Sequence, residues 1–179
     1  MTPKIRMPIV RQLPRDPDAP LLSRLRLWRE PVVYEVVEEY GYTLRDMDGT
    51  FWPLTIPPGF RSDLASAPRM LWALGFRPDG MMLVPGLFHD FAYRHGYVLC
   101  GLDEHLHVCR MDVSTKWRAD MMLALIAARV SGLYFPALAA FLALSVFGWP
   151  AWWANAKYRR AAQTTGEYQL HGEYDDGTT

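Results

Sequence analysis

The chain is short of several things, and each shortage excludes a class of protein. Only two cysteines, Cys100 and Cys109, occur in 179 residues. That is too few for a disulfide scaffold; it suits one bridge, or free thiols in a reducing compartment. Neither sign of charge is in excess, since 19 Lys and Arg balance 19 Asp and Glu. Phosphate backbones call for a basic surplus, so nucleic acid is not the expected partner. The opening MTPKIRMPIVRQLPRDPDAP lacks an apolar stretch of the secretory kind, and no secretory signal is expected there. No internal repeat is visible, and no GxSxG places a serine nucleophile on a strand-to-helix turn.

An uninterrupted apolar helix is missing as well. Ser131 to Asn155 contains no charge, but Pro136, Gly148 and Pro150 divide it. Its unbroken piece, Ala137 to Phe147, would be about 16 Å long as a helix, about half the hydrocarbon thickness of a bilayer. A buried core helix, or one lying in the membrane interface, fits that length better than a span. Aromatics, in contrast, are plentiful. There are seven tryptophans, and Trp149, Trp152 and Trp153 crowd the end of the uncharged run. Side chains with one apolar and one wet end gather at protein or membrane interfaces. Lys157, Arg159 and Arg160 follow, and suit either an anionic membrane surface or a solvated helix end.

The expected fold class is α+β, with an N-terminal β-hairpin or meander packed on a mainly helical C-terminal half of antiparallel helices. Residues 1–27 read as an extended arm, 28–160 as one domain, and 161–179 as a polar, acidic, disordered tail. PVVYEVVEEYGYTLRD (31–46) and FWPLTI (51–56) are β-rich and flank the Asp-Gly turn segment DMDGT, which predicts a hairpin. Pro53 places the second strand at an edge or keeps it short. PPGFRSDLASAPRM (57–70) is a loop from which Ser66 or Pro68 opens a short helix. A helix from about Pro85 should stop at Gly96. The stretch VLCGLDEHLHVCRMDVS is ambiguous. Ser114 should cap a helix whose apolar face runs through Trp117, Met121, Leu125 and Ala128, and a further helix should start near Pro136.

Chemistry concentrates in HDFAYRHG, residues 89 to 96. His89 and Tyr93, four apart, share a helix face, with Asp90 one step round. A histidine acting as general base must be neutral and oriented, commonly by a carboxylate accepting its Nδ1 proton. Asp120, in the otherwise apolar WRADMMLALIAAR with Arg118 as its near charged neighbour, is the candidate, provided the two helices pack antiparallel. Tyr93 can donate to the same carboxylate. The alternative is a solvent-exposed Asp near a helix start. Asp63, with Asp90 and loop carbonyls, offers oxygen ligands to a hard cation such as calcium, or else caps a turn alongside Ser62 and Ser66. Cys100, His105, His107 and Cys109 are all zinc-binding types, but their C-x4-H-x-H-x-C spacing matches no common zinc module, so an ordinary polar loop is expected there rather than zinc.

Two resemblances add to this reading. From about residue 28 to 153, the order GFRSDLASAPRMLW, then HDFAY, then RADMMLALIAARVSGLYFPALAAFLALSVFGWPAW resembles a domain family of bacteriophages and prophages without assigned biochemistry. It implies a virion or host-cytoplasm location and other virion or tail proteins as partners. Locally, HDFAY resembles the HD-x-x-Y helix of phospholipases A2, especially the short bacterial and parvoviral forms. That resemblance implies His89 as base, Asp90 as calcium ligand, Asp120 as the orienting carboxylate and Tyr93 as its support, with lipid or envelope ester or amide bonds as substrate. The glycine-rich calcium loop and the disulfides of secreted members are absent, with GFRSDLASAP upstream instead. Two readings therefore stand: a calcium-dependent hydrolase, peripheral at the host membrane through Trp149, Trp152 and Trp153, and a non-catalytic virion or tail-associated assembly protein.

Overall fold

The computed structural model describes residues 7–13, 33–45, 49–62, 80–102 and 108–165. Asp63, the short helix expected from Ser66 or Pro68, His105, His107 and the tail beyond Thr165 lie outside the described residues.

The run expected to be one strand over 31–46 is two. β2 (Tyr34–Val36) and β3 (Tyr40–Arg45) are separated at Val37–Glu39 and enter different sheets. β2 pairs antiparallel with β1 (Val10–Gln12), which comes from the stretch expected as an extended arm, and with β5 (Arg61–Ser62). β3 pairs with β4 (Phe51–Ile56), and the second sheet runs β3-β4-β6-β7, with β6 at Tyr97–Leu102 and β7 at Val108–Asp112. The hairpin β6–β7, with a register shift between Leu99 and Leu102, is what the ambiguous linking stretch forms.

β4 thus sits between two strands, which corrects the edge placement expected from Pro53. The ladder between β4 and β6 has its partners at Thr55 and Leu99, two residues past Pro53, which itself pairs with Thr43 of β3. On this hairpin Tyr40, Tyr42 and Leu44 stand opposite Ile56, Leu54 and Trp52, forming one apolar face. Tyr40 and Tyr42 both reach the Phe88 ring, with centroids 6.1 Å apart in each case. The sheet face is thereby filled by the first helix, α1 (Leu83–His95), whose Leu87, Phe88, Phe91 and Ala92 are fully buried. Gly96 ends α1 as expected: with φ at 75° it takes the left-handed conformation open to glycine, and its N–H closes on the Ala92 carbonyl.

α2 (Lys116–Ser131) packs on α1, and α3 (Tyr134–Phe147) packs on α2. Thr115, not Ser114, caps α2, accepting the Arg118 N–H, while the Ser114 N–H is held by Asp112. The buried face of α2 is also rotated from the expected one. Ala119, Asp120, Leu123, Ile126 and Ala127 face inward, and Trp117 is exposed. The shift follows from Asp120, whose partners on α1 turn a polar residue to the inside. α3 buries only Ala137 and Ala140, so it is a surface helix and not a buried core helix. Two short helices follow, α4 (Trp149–Ala154) and α5 (Ala156–Thr165), and α5 returns to α1. The described chain is α+β, with its strands mostly N-terminal and its helices mostly C-terminal. No helix among the described residues is long and apolar enough to cross a membrane.

Candidate functional site

The spacing of His89 and Tyr93 places both on the α1 face that meets α2, where Asp120 stands opposite. His89 Nε2 lies 3.1 Å from Asp120 Oδ1, and the Tyr93 hydroxyl donates to the same oxygen at 2.6 Å. All three side chains are buried, Asp120 being only 1% exposed. The alternative of a solvent-facing Asp120 is thus corrected. So is the expected ring orientation, since Nε2 rather than Nδ1 faces the carboxylate. Nδ1 is buried without a hydrogen-bond partner among the described residues. It stands 3.8 Å from Asp90 Oδ1, close enough for charge attraction but too far for a direct hydrogen bond.

Arg118, expected as the charged neighbour of Asp120, instead pairs with Asp112 at 2.6 Å. Lys116 is the true partner. One helical turn before Asp120 on the same face, its Nζ donates to Asp120 Oδ2 at 2.5 Å and to the Leu144 carbonyl of α3 at 2.6 Å. One carboxylate therefore accepts from three donors and ties three helices together. The signal for Lys116 was its i,i+4 spacing to Asp120, a spacing equally common on solvated helix faces.

Asp90 is anchored from the smaller sheet. Ser62 of β5 donates to Asp90 Oδ2 at 2.5 Å, and Arg94 of α1 donates to the Arg61 carbonyl at 2.6 Å. Ser62 is thus a neighbour of the site. The end of α1 is held by Arg159 of α5. It donates to the Tyr93 carbonyl, one of the carbonyls a helix end leaves unpaired, and to the Trp152 carbonyl, both at 2.7 Å. Its guanidinium lies 3.5 Å from the Trp152 ring centroid, and Trp152 meets Tyr93 edge-on at 5.0 Å. Trp152 is consequently buried, and cannot belong to a membrane-facing cluster with Trp149 and Trp153. Gly148 lets α4 approach: a Cβ there would lie 2.6 Å from the Leu144 carbonyl oxygen and 2.8 Å from the Tyr93 hydroxyl.

The titration of the site follows from its charges. Burial alone would lower the His89 pKa, but the hydrogen bond to Asp120 and the proximity of Asp90 outweigh it and raise the value above 6.5. Burial would raise both carboxylates, yet His89 chiefly, helped by Ser62 at Asp90 and by Lys116 and Tyr93 at Asp120, lowers each below 3.8. Burial and the Asp120 charge raise Tyr93, keeping it a hydroxyl donor. The protonated imidazole thus balances two carboxylates and one ammonium.

For a hard cation, the described residues offer Asp90 Oδ1 and the Ser62 hydroxyl. No cluster of three His, Cys, Asp or Glu suited to a metal occurs among the described residues. Calcium takes six to eight oxygens, so these residues alone do not make a calcium site, and Asp63 lies outside them. Cys100 is disulfide-bonded and unavailable as a zinc thiolate, in keeping with one bridge rather than the C-x4-H-x-H-x-C metal set.

No curated protein and no solved structure matches the chain. A family model described as "Protein of unknown function (DUF1353)" matches residues 34–143, from the start of β2 into α3, well over half of the chain and inclusive of Ser62, His89, Asp90, Tyr93, Lys116 and Asp120. The chain therefore belongs to the DUF1353 family.

Proposed function

We propose that the chain is a hydrolase of phage or prophage origin in which His89 activates water against ester or amide bonds of lipid or envelope material. The observation that carries this reading is the state of the imidazole. Nε2 is held by a buried, supported carboxylate, while Nδ1 is left with a free lone pair when the ring is neutral. The resting structure covers Nδ1, so the site must open to admit water; in that tautomer Nδ1 then takes a proton from it as the oxygen attacks the carbonyl carbon, and returns it to the departing alkoxide or amine. Asp120 stabilises the imidazolium formed between these steps, and Tyr93 and Lys116 keep Asp120 ionised and in place. Because neighbouring charge raises the His89 pKa, neutral imidazole accumulates on the alkaline side, so the rate should climb as pH rises through that raised value.

A second reading, a non-catalytic virion or tail-associated assembly protein, is favoured by a different observation. His89 is only 3% exposed, and Asp120 is occupied by three donors that bind α1, α2 and α3 into one unit.

Fatty-acid release from mixed phospholipid vesicles by the full chain, with calcium or with chelator, tests the two readings beside His89→Ala. Release lost in a variant that keeps its melting temperature supports the hydrolase, and the chelator arm decides its dependence on calcium. Release no greater than that of His89→Ala sinks the phospholipase form of the proposal and leaves the assembly role.

A further inference from the structure

The outer surface of α3 and α4 carries a second feature. On α3 and α4, Phe135, Leu138, Leu142, Val146, Phe147 and Trp153 are all exposed, Phe135 at 81% and Phe147 at 79%. Leu138, Leu142 and Val146 follow one another at intervals of four and so form one stripe along α3. The inner side of α3 is seated on α2 through the small residues Ala137 and Ala140. Phe135, Leu138, Leu142 and Val146 on one face, with Phe147 and Trp153 exposed beyond its end, exceed the scatter of single exposed hydrophobics normal on a protein surface.

Charge decides what covers them. Although the chain is neutral as a whole, Met121 to Gly166 contains no Asp or Glu, and its charged residues are Arg129, Lys157, Arg159 and Arg160. Arg159 is buried against carbonyls and Arg129 stands near Tyr42 of β3, whereas Lys157 and Arg160, just beyond α4, are exposed. An apolar stripe with cations beyond one end, where the exposed indoles of Trp149 and Trp153 lie tilted against each other at 5.6 Å, has the layout of a helix lying in a headgroup layer. A second copy of the chain would bring the same cations together with no acid to answer them.

We propose that α3 and α4 dock the chain flat on an anionic glycerophospholipid bilayer. The Leu and Phe side chains enter the acyl boundary, the exposed indoles lie at headgroup level, and Lys157 and Arg160 meet lipid phosphates. Docking of this kind requires no turnover, so it stands or falls apart from the hydrolase reading.

The test is flotation of the full chain with vesicles of equal parts phosphatidylglycerol and phosphatidylcholine, beside vesicles of phosphatidylcholine alone. Binding to the anionic vesicles with a blue shift of tryptophan emission is expected. Joint substitution Phe135→Ser and Trp153→Ser should weaken it by at least about tenfold, from the apolar area withheld. Lys157→Glu should weaken it about fivefold or more, an effect that high salt reduces. Neither variant should alter the melting temperature. Failure to float with anionic vesicles overturns the proposal, as does flotation that the double variant leaves unchanged. A dimer in sedimentation that the double variant converts to monomer, without vesicle binding, would assign the stripe to self-association instead. Flotation without fatty-acid release would uphold docking while sinking the phospholipase form of the hydrolase reading.

Discussion

The inner and outer surfaces of the helical layer are filled in opposite ways. Between α1 and α2 lie His89, Asp120 and Lys116, all buried, with Asp90 at their edge. On the outside of α3 and α4, phenylalanine, leucine and tryptophan face away from the protein. Hydropathy alone would exchange the two sets. The difference teaches that pairing, not polarity, governs the first surface: two carboxylates, an ammonium and a protonated imidazole sum to zero charge, and nearly every polar atom has a partner. On the second surface no such constraint exists, since an apolar side chain on the outside lacks only burial, and an external layer can supply it.

The sharpest way to break this contrast is to leave the inner charges unbalanced. Asp120→Ala strands Lys116, His89 and Tyr93 without their common acceptor, and should destabilise the fold by about 3–5 kcal/mol in denaturant unfolding. A loss below 1 kcal/mol would mean that the buried charges are not mutually dependent. Next comes Gly148→Ala. Its Cβ would press on the Leu144 carbonyl that receives Lys116 and on the Tyr93 hydroxyl, at an expected cost of about 1–3 kcal/mol in the same measurement.

Acidity probes the same cluster more gently. With its folded pKa raised, His89 contributes stability that is complete below its ordinary 6.5 and is lost as pH rises through the raised value. Asp90 and Asp120, with lowered values, contribute stability held above 3.8 and lost as pH falls through the lowered values. His95 opposes His89. Burial first, then Arg94 and Arg110, lower it to about 4, so the unfolded chain takes up a proton between 6.5 and that value while the folded chain does not. Melting temperatures followed against pH should therefore show an alkaline decline that Asp120→Asn flattens, and an acid decline over the His95 interval that His95→Gln removes. The smallest effect belongs to the outer surface: Phe135→Ser or Trp153→Ser should move unfolding stability by no more than about 0.5 kcal/mol. A larger loss would show that these residues support the fold and are not free to engage a partner.

Much of the site was readable before the structure because its logic is short-range. A histidine and a tyrosine four apart must share a helix face, and an aspartate in an apolar helix must find a partner. What escaped was whatever depends on a choice among equal local options. Lys116 and Arg118 both precede Asp120; the four-residue spacing put Lys116 on its face, but only the phase of α2 against α1 decided that this face is buried. Either ring nitrogen of His89 suits a carboxylate in principle. Trp152 and Trp153 are chemically alike, yet one lies beneath Arg159 and the other faces out. The Val and Tyr run of 31–46 reads as continuous, but its two halves serve different sheets, a partition made by β1 and β5 from distant parts of the chain.

The sequence by itself determined the α+β class, the His89–Tyr93 face, the stop of α1 at Gly96 and the uncharged stretch that became α3 and α4, because each follows from the periodicity and backbone freedom of neighbouring residues. The tertiary structure alone decided that Asp120 is shared by three donors, that Asp90 is gripped by Ser62, and that α3 lies on the surface with its large side chains outward. Those outcomes depend on how helices are turned against one another, which is fixed by the balance of buried charge across an interface and not by any one segment.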